Sequence, residues 1–315
     1  MEPVAHASQF CVVWGMNLLR ILIIAFASWA FSSTLAAQVN GMAPVMLQNA
    51  EIQPLRILSW NIYMLPKFAK ITGKRQRAHV IANQMQASDF DILVFQESFL
   101  GDARRIIGKA LHDSFPYQYG PANRKFSVKT NSGIWVLSKL PLKPLEEIDY
   151  VECAGFDDCF ARKGALLLAG EFNGKAFQIL GTHLQAGGSD AIRTSQFAEM
   201  RSLLDRHKQA GVPQIIAGDM NTGHTDTAQY REMLSTLDAE DGPLAVKLPT
   251  VDGGYPNDLH SHGVRSLRVI DFVFYRGNGL AANRVERQMP HFQEPWSRKH
   301  KDLSDHFPVD FSVWW

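Results

Sequence analysis

From Leu55 onward, short apolar runs bounded by Gly, Pro or Asn alternate with longer amphipathic stretches. Runs rich in Ile, Leu, Val and Phe predict strands over Leu55–Trp60, Ile92–Phe95, Gly133–Leu137, Ala165–Glu171, Ala176–Thr182, Gln214–Ala217, Val269–Tyr275 and Pro308–Val313. Helical spacing predicts helices over Arg75–Gln86, Asp102–Leu111, Asp190–Gln209 and Thr225–Leu237. In the third, Ile192, Phe197, Met200, Leu203 and Leu204 fall on one side and read as a core-packing stripe. Asn173-Gly174 separates two strand-like runs, and a tight hairpin favours this dipeptide because both central residues take positive φ. Strands that follow one another directly do not fit an all-parallel doubly wound sheet. The expectation is α/β (α+β), a mixed sheet system covered by helices. No repeat, low-complexity tract or linker interrupts residues 55–315, which are expected to form one catalytic domain.

Upstream the pattern changes. Arg20 precedes an apolar stretch, Ile21 to Phe31, that is shorter than the roughly 20 residues a bilayer-spanning helix needs. Ala36 or Ala37 would suit a signal peptidase, and Met16 would serve as a start. Residues 1–37 therefore read as a signal peptide and 38–54, with Gly41 and Pro44, as a loose leader. The expected location is secreted or periplasmic. The alternative is an uncleaved membrane anchor, because Cys11 to Trp14 extend the apolar run upstream.

The chain has 315 residues, 46% hydrophobic and 20% charged, with a formal net charge of +1. Those values fit a globular protein with a sizeable core. A dedicated nucleic-acid surface usually makes a domain basic, and this chain shows no such bias, so no stable nucleic-acid complex is expected. A monomer is the expectation. The cysteines are Cys11, Cys153 and Cys159. With Cys11 removed, the remaining pair can close a short disulfide loop in an oxidising compartment or stay as two surface thiols. Neither accompanying cysteines nor a close His pair supports a zinc site.

Polar residues collect where the apolar runs stop. Trp60 is followed by Asn61, Phe95 by Gln96-Glu97, and Thr182 by His183. Gly218 is followed by Asp219-Met220-Asn221, Asp271 lies in a further strand, and Ser304-Asp305-His306 precede the last. Each residue alone reads most simply as a turn or solvated loop position. Their joint placement at successive strand ends is how a rigid sheet presents reactive groups at one rim. Cleaving a phosphate diester needs charge stabilisation at the non-bridging oxygens, an activated water and help for the leaving oxygen. Glu97 and Asn61 offer a carboxylate and an amide oxygen, a set that suits Mg²⁺, or Mn²⁺ or Co²⁺, better than Zn²⁺. His306 is the candidate base, with Asp271 fixing its ring. His183 can donate to a phosphoryl oxygen, and Asp219 and Asn221 can orient water and phosphate or aid the leaving group. Lys163 is a candidate phosphate contact, although a lysine at a strand start is more often exposed.

In this order, Asn61, Glu97, His183, Asp219-x-Asn221, Asp271 and Asp305-His306 resemble the DNase I-like endonuclease/exonuclease/phosphatase enzymes over residues 55–315. The resemblance implies a four-layer sandwich of two β-sheets flanked by helices. It also implies Asn61 and Glu97 as metal ligands, with Asp305 supporting the metal or the base region. His306 would be the general base oriented by Asp271, while His183, Asp219 and Asn221 would meet the phosphate or its water. Within that superfamily several stretches resemble bacterial neutral sphingomyelinases. They are SWNIYMLP from Ser59, FQESF from Phe95, FPYQYG from Phe115, SGIWVLSKLPL from Ser132 and RKGAL from Arg162. GTHLQA from Gly181, IRTSQF from Ile192, GDMN from Gly218 and LSDHFPV from Leu303 continue the series. The resemblance implies a Cys153–Cys159 disulfide just before Lys163, and a phospholipid substrate met at a membrane surface. For the choline headgroup of such a lipid, Tyr63, Phe99, Phe126, Tyr255 and Trp60 are candidate aromatic faces, with Trp60 reading more simply as core.

Two stretches depart from the pattern. Those enzymes carry an aromatic hairpin before the final SDH segment, whereas Gln288 to Asp302 here is short and charged, with only Phe292 and Trp296 as large apolar side chains. Beside Arg298, Lys299, His300 and Lys301 these aromatics could touch an anionic interface or belong to a solvated loop. Pro249 to Asp258 also departs. The expected activity is metal-dependent hydrolysis of sphingomyelin or a related phospholipid to phosphocholine and ceramide. The alternatives are a secreted nuclease with the same chemistry and an inactive surface-binding module.

Overall fold

The computed structural model describes residues 53–67, 69, 73–123, 129–242, 257–259 and 268–315. The expected signal peptide, all but the last two leader residues, Phe126, and Pro249 to Pro256 of the second departing stretch lie outside the described residues. Residues Gln53–Trp315 form one compact unit.

Two sheets carry the fold. The first is built around parallel strands β1 (Leu55–Asn61) and β2 (Ile92–Gln96), paired from Ile57↔Ile92 to Asn61↔Gln96. Antiparallel strands complete it: β3 (Tyr117–Tyr119), β4 (Trp135–Ser138), β10 (Arg284–Gln288) and β11 (Val309–Trp314), in the six-stranded order β10-β11-β1-β2-β4-β3. The second sheet runs β5-β6-β7-β8-β9. Its members are β5 (Lys143–Asp149), β6 (Gly164–Phe172), β7 (Lys175–His183), β8 (Gln214–Asp219) and β9 (Asp271–Arg276). Here β7 and β8 are parallel and the other pairs antiparallel. The β6–β7 turn is Asn173-Gly174 with φ of 51° and 75°, the conformation that the dipeptide predicts.

Alternation along the strands explains the layering. Ile57, Val94, Val136, Leu168, Ile179, Ile215 and Val273 pack between the sheets. Their neighbours Leu58, Leu93 and Leu137 face the other way, against helices α1 (Lys74–Gln86) and α2 (Gly101–Ala110). Leu167, Leu180, Ile216 and Phe274 face outward from the second sheet against α4 (Asp190–Arg206) and α5 (Thr227–Leu237). Both faces of each central strand are buried, so these strands read as continuous apolar runs rather than alternating ones. The result is the expected four layers, helix, sheet, sheet, helix, with one apolar layer at each boundary. The stripe of Phe197, Met200, Leu203 and Leu204 on α4 is core, as its spacing predicts.

The pattern gave no sign of β3, β5, β10 or the short helix α3 (Phe156–Phe160). The three strands lie at sheet edges and present polar or charged side chains. Helix α4 also ends at Arg206, short of the expected Gln209. Among the described residues, no helix is long and apolar enough to cross a membrane.

Candidate active site

The inward parity of the central strands continues to one rim. Asn61 ends β1, His183 ends β7 and Asp219 ends β8, each an even number of residues from inward-facing Ile57, Ile179 and Ile215. Asp271 begins the antiparallel β9 at the same level, and register places His183, Asp219 and Asp271 in one row across the second sheet. Glu97 follows β2 with φ of 52°, and Asp305-His306 lie in the loop leading into β11. Asn61, His183, Asp219 and Asp271 are thus the last inward positions of their strands, where the apolar interlayer ends, and the loops after β2 and before β11 bring Glu97 and His306 beside them.

The structure brings them together. His306 Nδ1 lies 2.9 Å from Asp271 Oδ2, and its Nε2 lies 3.9 Å from Asp219 Oδ2. A carboxylate only accepts, so Nδ1 carries the proton and Nε2 is left for chemistry. Burial pulls the imidazole pKa down, but Asp271 and Asp219 outweigh it and hold His306 well above its ordinary value. Asn61 Nδ2 donates to Asp219 Oδ2 at 3.1 Å, and Asn61 Oδ1 accepts from the Tyr63 backbone at 3.1 Å. Asn221, with φ of 49°, donates its backbone N–H to Asp219 Oδ1 at 3.0 Å and its amide to the Leu184 carbonyl at 3.0 Å. Burial raises the Asp219 carboxyl, yet His183, His306 and Lys163 together hold it below the usual range.

His183 and Lys163 form a second group. Lys163 is buried, donating to the Leu184 carbonyl at 2.6 Å and to Asp158 Oδ1 at 2.8 Å, with His183 Nε2 at 3.2 Å. An ammonium has three protons, so these neighbours account for all of them. A phosphate contact from Lys163 needs one of these partners released. Burial, and then the Lys163 charge, lower His183 to about 3, so its ring is neutral at neutral pH. Its Nδ1 is buried with no hydrogen-bond partner.

Glu97 shows whether a cation fits. Its Oε2 is buried without a hydrogen-bond partner, and burial followed by the Asp305 charge pushes its carboxyl up to about 7. A desolvated carboxylate beside like charge, with the Asn61 amide oxygen at hand, is an oxygen-donor set short of positive charge and fits a hard divalent cation. Ligand atoms of Asp219, Asp271 and His306 also lie within 4.8 Å of one another. There, however, His306 Nδ1 already shares its proton with Asp271, so that trio reads as an acid–base group and the orphaned Glu97 oxygen as the cation's side.

Residues 58–306 match the Endonuclease/Exonuclease/phosphatase family. The chain belongs to that family. Among relatives of this endonuclease/exonuclease/phosphatase protein, Sphingomyelinase C of Leptospira interrogans is 26% identical over 81% of this chain and 51% of its own length. Phospholipase C of Staphylococcus aureus is 25% identical, over 81% of this chain and 86% of its own. The chain therefore spans about half the length of the Leptospira relatives it matches. The crystal structure of SmcL superposes with a TM-score of 0.73 at 22% identity, covering 82% of this chain and 99% of that one. A beta toxin variant from Staphylococcus aureus with bound magnesium ions gives 0.74 at 22% identity, over 82% and 99% of the two chains. Fold and family are those that the resemblance implied.

Cys153 and Cys159 are joined in a disulfide. Of the candidate choline faces, Trp60 is core and donates to the His306 carbonyl, Tyr63 lies over Arg77, and Tyr255 and Phe126 lie outside the described residues. Phe99 lines a cavity of about 410 Å³ whose walls include Glu97, Lys163 and His183. Phe156 and Phe160 line it too, and no motif or apolar run singles them out. Asp158 was also missed. An aspartate in a short Gly- and Asp-containing loop reads as a turn residue, and only the fold brings it to Lys163. Phe292 and Trp296 are turned inward: Phe292 packs against Trp60 with ring centroids 5.4 Å apart and planes tilted by 54°, and Trp296 covers Gly73 and donates to the Asp302 carbonyl at 2.7 Å.

Proposed function

We propose that the protein is a divalent-cation-dependent phosphodiesterase of phospholipase C type, cleaving sphingomyelin to phosphocholine and ceramide, or a related phospholipid at the same bond. The observation that carries this reading is the His306–Asp271 pair facing Asp219, with Asn61, His183 and Glu97 converging on one cleft. With a cation among the carboxylates that otherwise hold the ring protonated, His306 Nε2 is free to take the proton of the attacking water, while Asp271 keeps the other proton on Nδ1. Asp219, fixed by Asn61 and the Asn221 backbone, orients that water. His183, neutral and backed by Lys163, meets a phosphoryl oxygen. Glu97, Asn61 and Asp305 would hold Mg²⁺, which when bound supplies positive charge for the non-bridging oxygens and the leaving oxygen. The apolar wall of Leu65, Pro66, Phe99 and Phe160 beside these groups supports a lipid over a nucleic acid, whose groove would be basic. The relatives' names, sphingomyelinase C and phospholipase C, point the same way. The disulfide supports the export reading of residues 1–37, because such bonds persist in oxidising compartments.

The test offers the full-length protein sphingomyelin, phosphatidylcholine and plasmid DNA in parallel, with Mg²⁺ and with EDTA. Phosphocholine release that EDTA abolishes, without DNA nicking, is expected. His306→Ala should lower turnover by about 10²–10⁴-fold. Nicking without lipid cleavage would assign a nuclease, and inactivity on every substrate would assign a binding module.

A further inference from the structure

Among the described residues the large apolar side chains left exposed are Tyr117, Val151 and Phe156, at 39%, 84% and 79%. The two most exposed sit on one segment, the disulfide loop between β5 and β6. That segment is not loosely held. Val151 N donates to Glu199 at 3.2 Å, the Glu152 carbonyl accepts from Gln196 at 3.2 Å, and the Ala154 carbonyl accepts from Gln185 at 2.7 Å. Asp158 Oδ2 accepts from the Gln185 side chain and from the Ala186 and Gly187 backbones at 2.7, 3.0 and 3.1 Å, while the Cys153–Cys159 bond closes the loop. Scattered single apolar residues at a surface need no explanation. Here a fixed backbone holds Phe156 in water, and its ring stacks on Phe160, centroids 5.9 Å apart. Both line the cavity whose walls also include Glu97, Lys163 and His183, so Phe156 joins the exposed loop to the candidate site.

We propose that this loop, with Val151 and Phe156 at its tip, is the surface by which the protein enters a zwitterionic phospholipid bilayer. The proposal rests on the lipid reading of the site and names the element that delivers it to its substrate. Charge selects the kind of bilayer: from Val151 to Phe156 the chain carries Glu152 and no basic residue, so contact is apolar and gains nothing from anionic lipid. The basic Arg298–Lys301 stretch, whose neighbouring aromatics are turned inward, offers the competing, charge-driven mode.

The experiment sediments the full-length protein with phosphatidylcholine vesicles in EDTA, so that no hydrolysis intervenes, at low and high salt. Binding is expected to be insensitive to salt. The double variant Val151→Ser, Phe156→Ser is expected to bind about tenfold or more weakly, the effect of withdrawing two apolar side chains from the interface. Hydrogen–deuterium exchange over residues 150–160 is expected to slow on vesicle addition, a local readout that the N-terminal apolar segment does not move. Val151→Ser alone should keep its turnover on a water-soluble phosphocholine diester while losing turnover on vesicles. Unchanged exchange over 150–160, or binding that needs anionic lipid and is lost in salt, overturns the proposal. Vesicle binding through the loop with no hydrolysis of any lipid would instead remove the proposed activity and leave the surface standing.

Discussion

Glu97 carries the clearest electrostatic strain among the candidate site residues. Burial and then Asp305 raise its carboxyl from an ordinary 4.5 to about 7. Between those values the folded state binds more protons than the unfolded one, so stability falls as pH rises through that window. His306 adds a slope of the same sign above its ordinary value, since Asp271 and Asp219 hold it up against the lowering effect of burial. His183, held down to about 3 by burial and Lys163, gives the opposite slope below its ordinary 6.5 and offsets Glu97 there, so the cation-free protein is expected to melt at lower temperature as pH rises from about 6.5 to about 8. Mg²⁺ should stabilise it most at the upper end, where Glu97 is ionised. Glu97→Gln keeps the shape and removes the charge, so it should flatten the slope, shrink the Mg²⁺-induced shift and raise the Mg²⁺ needed for activity. Thermal melts across pH, with and without cation, read all three. A variant with the wild-type Mg²⁺ response would remove Glu97 from the ligand set.

At the scale of elements, the segment from Met289 to Leu303, whose sequence fits either an interfacial contact or a solvated loop, forms a strap packed on α1. The Gln293↔Asp302 bridge and the Glu294–Lys301 backbone bond close it, and Trp296 lies where a side chain on Gly73 would be. Trp296→Ala should thus cost about 2–3 kcal/mol in urea unfolding, below a fully buried tryptophan because the ring is half-buried. It should leave vesicle binding unchanged; a loss of binding without loss of stability would reverse the assignment. The same physics divides what was legible in the sequence from what was not. Central strands β1, β2, β7 and β8 are buried on both faces, so their apolar runs announce them and mark where Asn61, Glu97, His183 and Asp219 follow. Edge strands β3, β5 and β10 bury little, and KPLEEID or RVERQ carries no apolar run to read. Asp158 and Phe156 have meaning only through contacts across the fold, which local pattern does not encode.

At the scale of the molecule, the candidate site is shared between two sheets that meet across the apolar interlayer. Asn61, Glu97 and His306 belong to the first, and His183, Asp219 and Asp271 to the second. The Asn61–Asp219 and His306–Asp271 hydrogen bonds are therefore bridges between sheets, and their lengths depend on sheet spacing. Gly181 sets that spacing locally: a Cβ there would stand 3.0 Å from Val94 and 3.1 Å from Ile134 on the facing sheet. Gly181→Val should cost about 1–3 kcal/mol by overpacking. It should also lower kcat by about 10²-fold, because displacement approaching an ångström separates the acid–base pair from its partners. Leu237→Ala, in the outer layer against α4, should cost about 2–5 kcal/mol yet leave kcat within a few-fold, because it opens a cavity without moving one sheet against the other. Urea midpoints and kcat measured for both variants separate the two effects. Equal losses of kcat for equal losses of stability would show that catalysis follows global stability, not the distance between the sheets.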